Sequence, residues 1–203
     1  MYKKYFKRLL DIIFSVILLL LTLPLMLLVA ILIKLNSKGP ALFIQDRIGH
    51  KGKVFKIYKF RTMHVAYEEE QIKMADKDRI FHFGLLLRKT SIDELPQLWN
   101  ILKGEMSFIG PRPFMDIYLN LDDPVEFRRH DVIPGVTGMA QVNGRTNLSY
   151  EVRFKYDLYY VDNFNFLLDI KILIKTIIKL FSFNDVNIDD DTANTRNLEA
   201  DIK

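Results

Sequence analysis

Residues 12–33 read IIFSVILLLLTLPLMLLVAILI and carry no charge. With a rise of 1.5 Å per residue, a helix of about 20 apolar residues crosses a bilayer core of about 30 Å. A cleavable leader would have a shorter apolar run ending at small residues. This run instead passes straight into Lys34-Leu35-Asn36-Ser37-Lys38. Pro24 sits near its middle, where it removes a backbone hydrogen bond and bends or breaks a helix. Lys3, Lys4, Lys7 and Arg8 precede the run, and Lys34 and Lys38 follow it. Positive charge marks the cytoplasmic side of a membrane segment. Basic residues at both ends therefore suit a helix that enters, breaks at Pro24 and returns to the same face, with the Thr22 hydroxyl as donor to a freed carbonyl. On these residues alone a spanning helix stays equally open, because Pro is tolerated in spanning helices. Asp11 lies one turn after Lys7 and Arg8, at ion-pair spacing.

The chain has 203 residues, 49% of them hydrophobic, enough for one cored domain with an appendage. It has no cysteine, which excludes disulfides and thiolate metal ligands. A net charge of +4 suits an anionic partner such as a lipid headgroup, a nucleotide or nucleic acid.

After the Gly39-Pro40 turn, Ala41–Ile44 and Val54–Phe60 are β-leaning runs separated by the turn-rich Gly49-His50-Lys51-Gly52-Lys53. They predict a two-stranded hairpin. Alternation puts Phe55, Ile57 and Lys59 on one side and Lys56, Tyr58 and Phe60 on the other. The charged stretch from Tyr67 to Asp78 reads as an exposed helix or loop. Helices are expected over Ile80–Leu87, Leu95–Leu102, Pro124–His130 and Leu148–Val161. Ile133–Arg145 is expected to be a structured loop with a short strand. Leu167–Phe183 carries Lys171, Lys175 and Lys179 along one helical face, a pattern that suits a membrane interface. The polar, acidic residues from Asn184 onward have the composition of a disordered tail.

Residues 90–113, TSIDELPQLWNILKGEMSFIGPRP, carry the chemistry. Asp93 and Glu94 stand before a helical run that Ser91 or Asp93 could cap. With Asp93 at the N-cap, Pro96 falls where its missing N–H costs no helical bond. A helix N-terminus stabilises a carboxylate and attracts phosphate oxygens. An ionised Asp93 there could attack phosphorus or hold a divalent cation, but from these four residues alone a bare cap is the favoured reading. Arg112 is fixed between Pro111 and Pro113, a setting for bidentate phosphate recognition. Arg145 projects from the Asn143-Gly144 turn, and Asp157 and Asp162 follow as acidic partners.

The order of these pieces resembles one family, the small bacterial sugar transferases of the monotopic phosphoglycosyl transferase type. The resemblance rests on Lys7-Arg8-Leu9-Leu10-Asp11, Phe55-Lys56-Ile57-Tyr58-Lys59-Phe60-Arg61-Thr62-Met63 and Ser91-Ile92-Asp93-Glu94-Leu95-Pro96-Gln97. It continues through Lys103-Gly104-Glu105-Met106-Ser107, Ile109-Gly110-Pro111-Arg112-Pro113 and Pro134-Gly135-Val136-Thr137-Gly138. Ala140-Gln141-Val142-Asn143-Gly144-Arg145 and Asp157-Leu158-Tyr159-Tyr160 complete it. The chain departs from the family pattern at Leu23-Pro24, where Ser-Pro is common, and at Met139, where an aromatic is common.

The resemblance implies transfer of a sugar 1-phosphate from a UDP-sugar to polyprenyl phosphate, with release of UMP. It implies that Asp93 is the nucleophile, Glu94 its partner, and that Mg²⁺ sits by Asp93 and the diphosphate. Arg112, with Pro111 beside it, and Arg145 are then expected near the nucleotide or phosphates, and Lys59 and Asp157 in the site wall. The expected fold is α+β and mostly helical, with a re-entrant membrane helix over residues 1–36. A catalytic domain over 37–183 would carry a small β-hairpin and amphipathic interfacial helices, followed by a polar tail over 184–203. It would lie on the cytoplasmic face of a bacterial cytoplasmic membrane, in contact with membrane lipid, with a homodimer left open. A membrane-bound Mg²⁺-dependent phosphatase is the rival enzyme. A non-enzymatic scaffold ranks last, and nucleic acid is set aside because no basic patch interleaves with aromatics.

Overall fold

The computed structural model describes residues 2–65, 76–114, 123–144 and 148–181. These residues are mostly helical, with two small two-stranded sheets. In chain order the elements are α1 (Lys7–Asn36), β1 (Leu42–Ile48), β2 (Val54–Phe60), α2 (Asp76–Arg79), α3 (His82–Thr90) and α4 (Gln97–Lys103). Then come β3 (Ser107–Ile109), α5 (Pro124–Phe127), β4 (Gly135–Thr137), α6 (Met139–Asn143), α7 (Tyr150–Asn163) and α8 (Phe166–Phe181). Strands β1 and β2 form the expected antiparallel hairpin, with Leu42 opposite Phe60 and Ile48 opposite Val54. Strands β3 and β4 pair in parallel through Ser107–Gly135 and Ile109–Thr137.

Helix α1 is long and apolar enough to cross a membrane, with a mean hydropathy of 3.2 over its most apolar stretch. Leu20, Leu21, Leu27 and Ile31 are exposed, as expected of a membrane-associated helix. Pro24 lies inside α1 and does not divide it, since the backbone stays helical from Lys7 to Asn36. The Thr22 hydroxyl donates to the Leu18 carbonyl at 2.7 Å, not to the Leu20 carbonyl that Pro24 frees. One face of α1 is covered by the rest of the chain. Asp11, Ser15, Val29 and Ile33 are buried on it, and Leu19, Met26 and Ala30 pack onto apolar clusters. These positions recur at helical spacing, so they form one stripe.

The two ends of α1 are fastened differently. At the start, Arg8 donates to the carbonyls of Ile101 and Leu102, in the last turn of α4. Asp11 is buried rather than interfacial, and the Lys7 and Arg8 charges act on it as their spacing suggests. Its carboxylate is buried and accepts from the Ser107 hydroxyl and the Phe108 N–H. At the other end, Val29 and Ile33 pack against Phe60, Phe81 and Leu87. The Arg61 guanidinium donates to the hydroxyl and carbonyl of Ser37.

Helix α8 also differs from its sequence reading. Lys175 does not project outward, but donates to Asn143 Oδ1 at 3.0 Å. Ile172 is buried and the Thr176 hydroxyl meets that of Thr137, so this side of α8 packs on β4 and α6. The outward side is largely apolar, with Leu167, Ile174, Ile177 and Ile178 exposed around the exposed Lys171. Such a face suits lipid better than water. Helix α6 was not anticipated within the Gly-rich segment. The segment Pro124–His130 is a four-residue helix continued by a 3₁₀ turn, and it buries Glu126, Arg129 and His130. Much of Tyr67–Asp78 and the tail from Asn184 lie outside the described residues.

Candidate active site

Asp93 sits in the 3₁₀ turn Ile92–Glu94, between α3 and α4. It is not the N-cap of α4. Pro96 holds that position, and Ser91 ends α3 in the left-handed conformation with φ 56°. That reversal turns the chain so that Asp93 points inward and is 9% exposed. No donor among the described residues hydrogen-bonds its carboxylate.

Glu94 is the more accessible of the pair. Its Oε1 accepts from Arg112 Nη2 at 3.1 Å and lies 3.5 Å from Lys59 Nζ. Lys59 is itself buried, on the Phe55 and Ile57 side of β2 as the alternation predicts. Its registry with Glu94 comes from Asn100, fully buried in α4. The Asn100 amide accepts from the Tyr58 N–H at 3.1 Å and donates to the Lys56 carbonyl at 2.7 Å. This side chain completes the exposed edge of β2 and so fixes α4 onto it.

Arg112 is held through its backbone. The Pro111 carbonyl accepts from Gly135 N–H at 2.9 Å, and the Arg112 carbonyl from Arg129 Nη2 at 2.9 Å. On the far side, the Phe114 carbonyl accepts from Ile48 N–H. The loop is therefore tied to β4, to the turn after α5 and to β1. Gly110 permits this closeness, because a Cβ there would lie 2.4 Å from the Ile133 carbonyl oxygen. Gly110→Ala is expected to destabilise the fold by about 1–3 kcal/mol through overpacking. Thermal unfolding checks this.

Pro111 thus shapes the loop through its carbonyl and its fixed φ. Asp157 does not line the site as an open carboxylate. It is buried and pairs with Arg129 at 2.6 Å, so it supports Arg112 at one remove. Burial pushes its pKa up, and the Arg129 charge pulls it back. Asp162 pairs with Arg128 at the surface. Arg145 lies outside the described residues.

Two contributors escaped the sequence reading. Arg88, in the last turn of α3, was hidden in an apolar helix, yet its charge acts on Asp93. Its Nε donates to the Thr62 hydroxyl at 2.9 Å. Arg129 had no sequence neighbour to mark it, since its partner is 28 positions away.

The Asp93 pKa is raised to about 7, first by burial and then by the Glu94 charge. Lys59, Arg88 and Arg112 act in the opposite direction and do not offset these causes. Because the folded protein holds this proton more tightly than the unfolded chain, the stabilising contribution is present at low pH. It is lost as pH rises through about 7. Asp93→Asn, which imitates the neutral acid, is therefore expected to raise Tm more at pH 8 than at pH 5. Thermal unfolding of both proteins at the two pH values checks this.

The site thus sets a desolvated carboxylate beside three cationic side chains. That combination suits a substrate rich in phosphate oxygens, whose charge the cations can neutralise.

Residues 2–183 match the family described as bacterial sugar transferase. The sugar transferase EpsL of Bacillus subtilis is 45% identical over 174 residues, covering 86% of each chain. A UDP-glucose:undecaprenyl-phosphate glucose-1-phosphate transferase of Klebsiella pneumoniae is 42% identical over 187 residues, 87% of this chain and 40% of its own. A UDP-N-acetylgalactosamine-undecaprenyl-phosphate N-acetylgalactosaminephosphotransferase of Aeromonas hydrophila is 44% identical over 181 residues, 85% of this chain and 43% of its own. The chain spans less than half the length of the last two relatives. With nearly all of its residues matched, the chain belongs to the bacterial sugar transferase family.

Proposed function

We propose that the protein transfers a sugar 1-phosphate from a UDP-sugar to a polyprenyl phosphate such as undecaprenyl phosphate. The observation that carries this reading is the buried Asp93 with Lys59, Arg88 and Arg112 around it, in a chain whose relatives are named for this transfer. In the first step a carboxylate oxygen of Asp93 attacks the phosphorus that bears the sugar. The bridging P–O bond breaks and UMP leaves with its electron pair. In the second step an oxygen of the lipid phosphate attacks the same phosphorus. The acyl phosphate bond breaks and Asp93 is regenerated as a carboxylate. Two displacements replace one encounter between a soluble donor and a lipid acceptor.

The residues fit each step. Arg112 and Lys59 hold Glu94 and offer positive charge to the diphosphate as negative charge develops on UMP. Burial excludes water, which would otherwise hydrolyse the acyl phosphate. The donor set at Asp93 also fits Mg²⁺. Its oxygens accept no hydrogen bond from the described residues, and Mg²⁺ prefers one or two carboxylates with water and phosphate oxygens. Bound there, Mg²⁺ would offset negative charge on the phosphate of the departing UMP.

The domain lies on the cytoplasmic face of the bacterial cytoplasmic membrane, where UDP-sugars are found. Both ends of α1 are fastened to the same domain, which favours an unbroken helix held along that domain in one leaflet over one that carries an end away from it. The exposed apolar side of α8 would then lie in the same interface.

The test is UMP release from a panel of UDP-sugars, with and without undecaprenyl phosphate in vesicles. Sustained release that requires the lipid supports the reading. Sustained release without lipid identifies a hydrolase instead.

A further inference from the structure

Asp169, in the first turn of α8, is 3% exposed, and three side chains from other elements converge on it. The Tyr2 hydroxyl donates to Oδ2 at 2.5 Å and the Lys7 ammonium donates to the same oxygen at 2.7 Å. The Tyr160 hydroxyl, from α7, reaches Oδ1 at 2.8 Å. Tyr2 and Lys7 belong to the turn that leads into α1 and to its first residue. The Tyr160 oxygen also lies 3.1 Å from the carbonyl of Ile109, which immediately precedes Gly110-Pro111-Arg112. Beside this centre, Asp11 binds Ser107 and Phe108 of β3. The lipid-facing helix is thereby joined, through two buried carboxylates, to the strand that delivers Arg112.

A buried carboxylate costs stability unless its lone pairs are used, and these are used by donors from separate elements. Such bonds are directional, whereas an apolar seam lets a helix slide or turn. They therefore fix how α1 is set against the Arg112 loop. None of the bonds to Asp169 involves Asp93, Glu94, Lys59 or Arg112.

Resting on the transfer reaction proposed above, we propose that Asp169 is a positioning residue. Through Tyr2, Lys7 and Tyr160 it holds the membrane helix in register with the Arg112 loop for the lipid-phosphate step. The soluble donor reaches Asp93 from water and does not need that register. The acceptor arrives in the bilayer alongside α1. Its phosphate oxygen must line up with phosphorus so that the new P–O bond forms as the Asp93–phosphorus bond breaks.

The experiment uses full-length protein in phosphatidylethanolamine–phosphatidylglycerol vesicles containing undecaprenyl phosphate. UDP-glucose and UDP-N-acetylgalactosamine serve as donors, and the two half-reactions are timed separately. Asp169→Asn is expected to form the phosphosugar adduct at the wild-type rate and to pass it to lipid about tenfold more slowly or worse, as misplaced reacting groups do. Lys7→Met should share the defect and Lys7→Arg should recover it. Tyr2→Phe removes one bond only and gives a milder version if Asp169→Asn folds poorly. Equal slowing of both half-reactions, or no slowing in any variant, overturns the proposal.

A wild-type protein that forms no adduct with any nucleotide sugar removes the proposed function instead. The clamp is then read without substrate. The chain has no native cysteine, so spin labels at Leu21→Cys and Lys53→Cys report the distance from α1 to the hairpin. Asp169→Asn should broaden that distance distribution, and an unchanged distribution overturns the clamp.

Discussion

Asp93→Asn is expected to abolish adduct formation and to cut turnover by on the order of 10⁴-fold or more, the scale on which loss of a covalent nucleophile falls. The substitution keeps the shape of the side chain and its place in the 3₁₀ turn. It removes the oxygen nucleophile and the charge. Because burial and the Glu94 charge raise the Asp93 pKa, the asparagine variant should be no less stable than wild type near neutral pH. Lost activity with retained or raised Tm would therefore separate chemistry from folding. Turnover by UMP release and melting in the same buffer are the two measurements. An Asp93→Asn variant that keeps turnover within an order of magnitude would remove Asp93 from the chemistry.

The second large effect concerns stability. Asp157→Ala leaves the Arg129 guanidinium buried without its carboxylate, at 1% side-chain exposure and over the Phe114 ring. Breaking a buried pair from one side typically costs about 3–5 kcal/mol. The loss should appear as a markedly lower melting temperature in detergent. Arg129→Met combined with Asp157→Leu should regain much of that stability, because no charge is left unpaired. It should not regain activity, since the Arg112 carbonyl loses the donor that Arg129 supplies at 2.9 Å. A double variant with full activity would show that Arg129 does not position Arg112.

The sequence reading located what local pattern controls. The apolar run gave α1, two β-leaning runs around a turn gave the hairpin, and alternation put Lys59 on its inner side, whereas Asp93 and Glu94 were singled out by the family resemblance. What it misplaced depends on distant contacts. Asp11 reads as an interfacial charge until Ser107, 96 positions on, is brought to it. Lys175 reads as part of an outward stripe until Asn143 of α6 accepts from it. Strand β3 spans three residues, too few for alternation to register, while β4 is the short strand expected within Ile133–Arg145. The cap role given to Asp93 failed because Ser91 adopts a left-handed conformation, uncommon for a residue with a side chain. Arg88, Asn100 and Arg129 lay in segments whose patterns read as ordinary helix, and only tertiary contacts show their bearing on the site.

The proposed reaction puts phosphorus on Asp93 during turnover. Full-length protein in vesicles without polyprenyl phosphate is mixed with Mg²⁺ and a UDP-sugar that supports UMP release. It is then quenched, digested and mapped by mass spectrometry. One phosphosugar per chain is expected, carried on Asp93, absent from Asp93→Asn and removed when undecaprenyl phosphate is added. Lipid-dependent UMP release with no adduct on Asp93, or with the adduct on another residue, would contradict it.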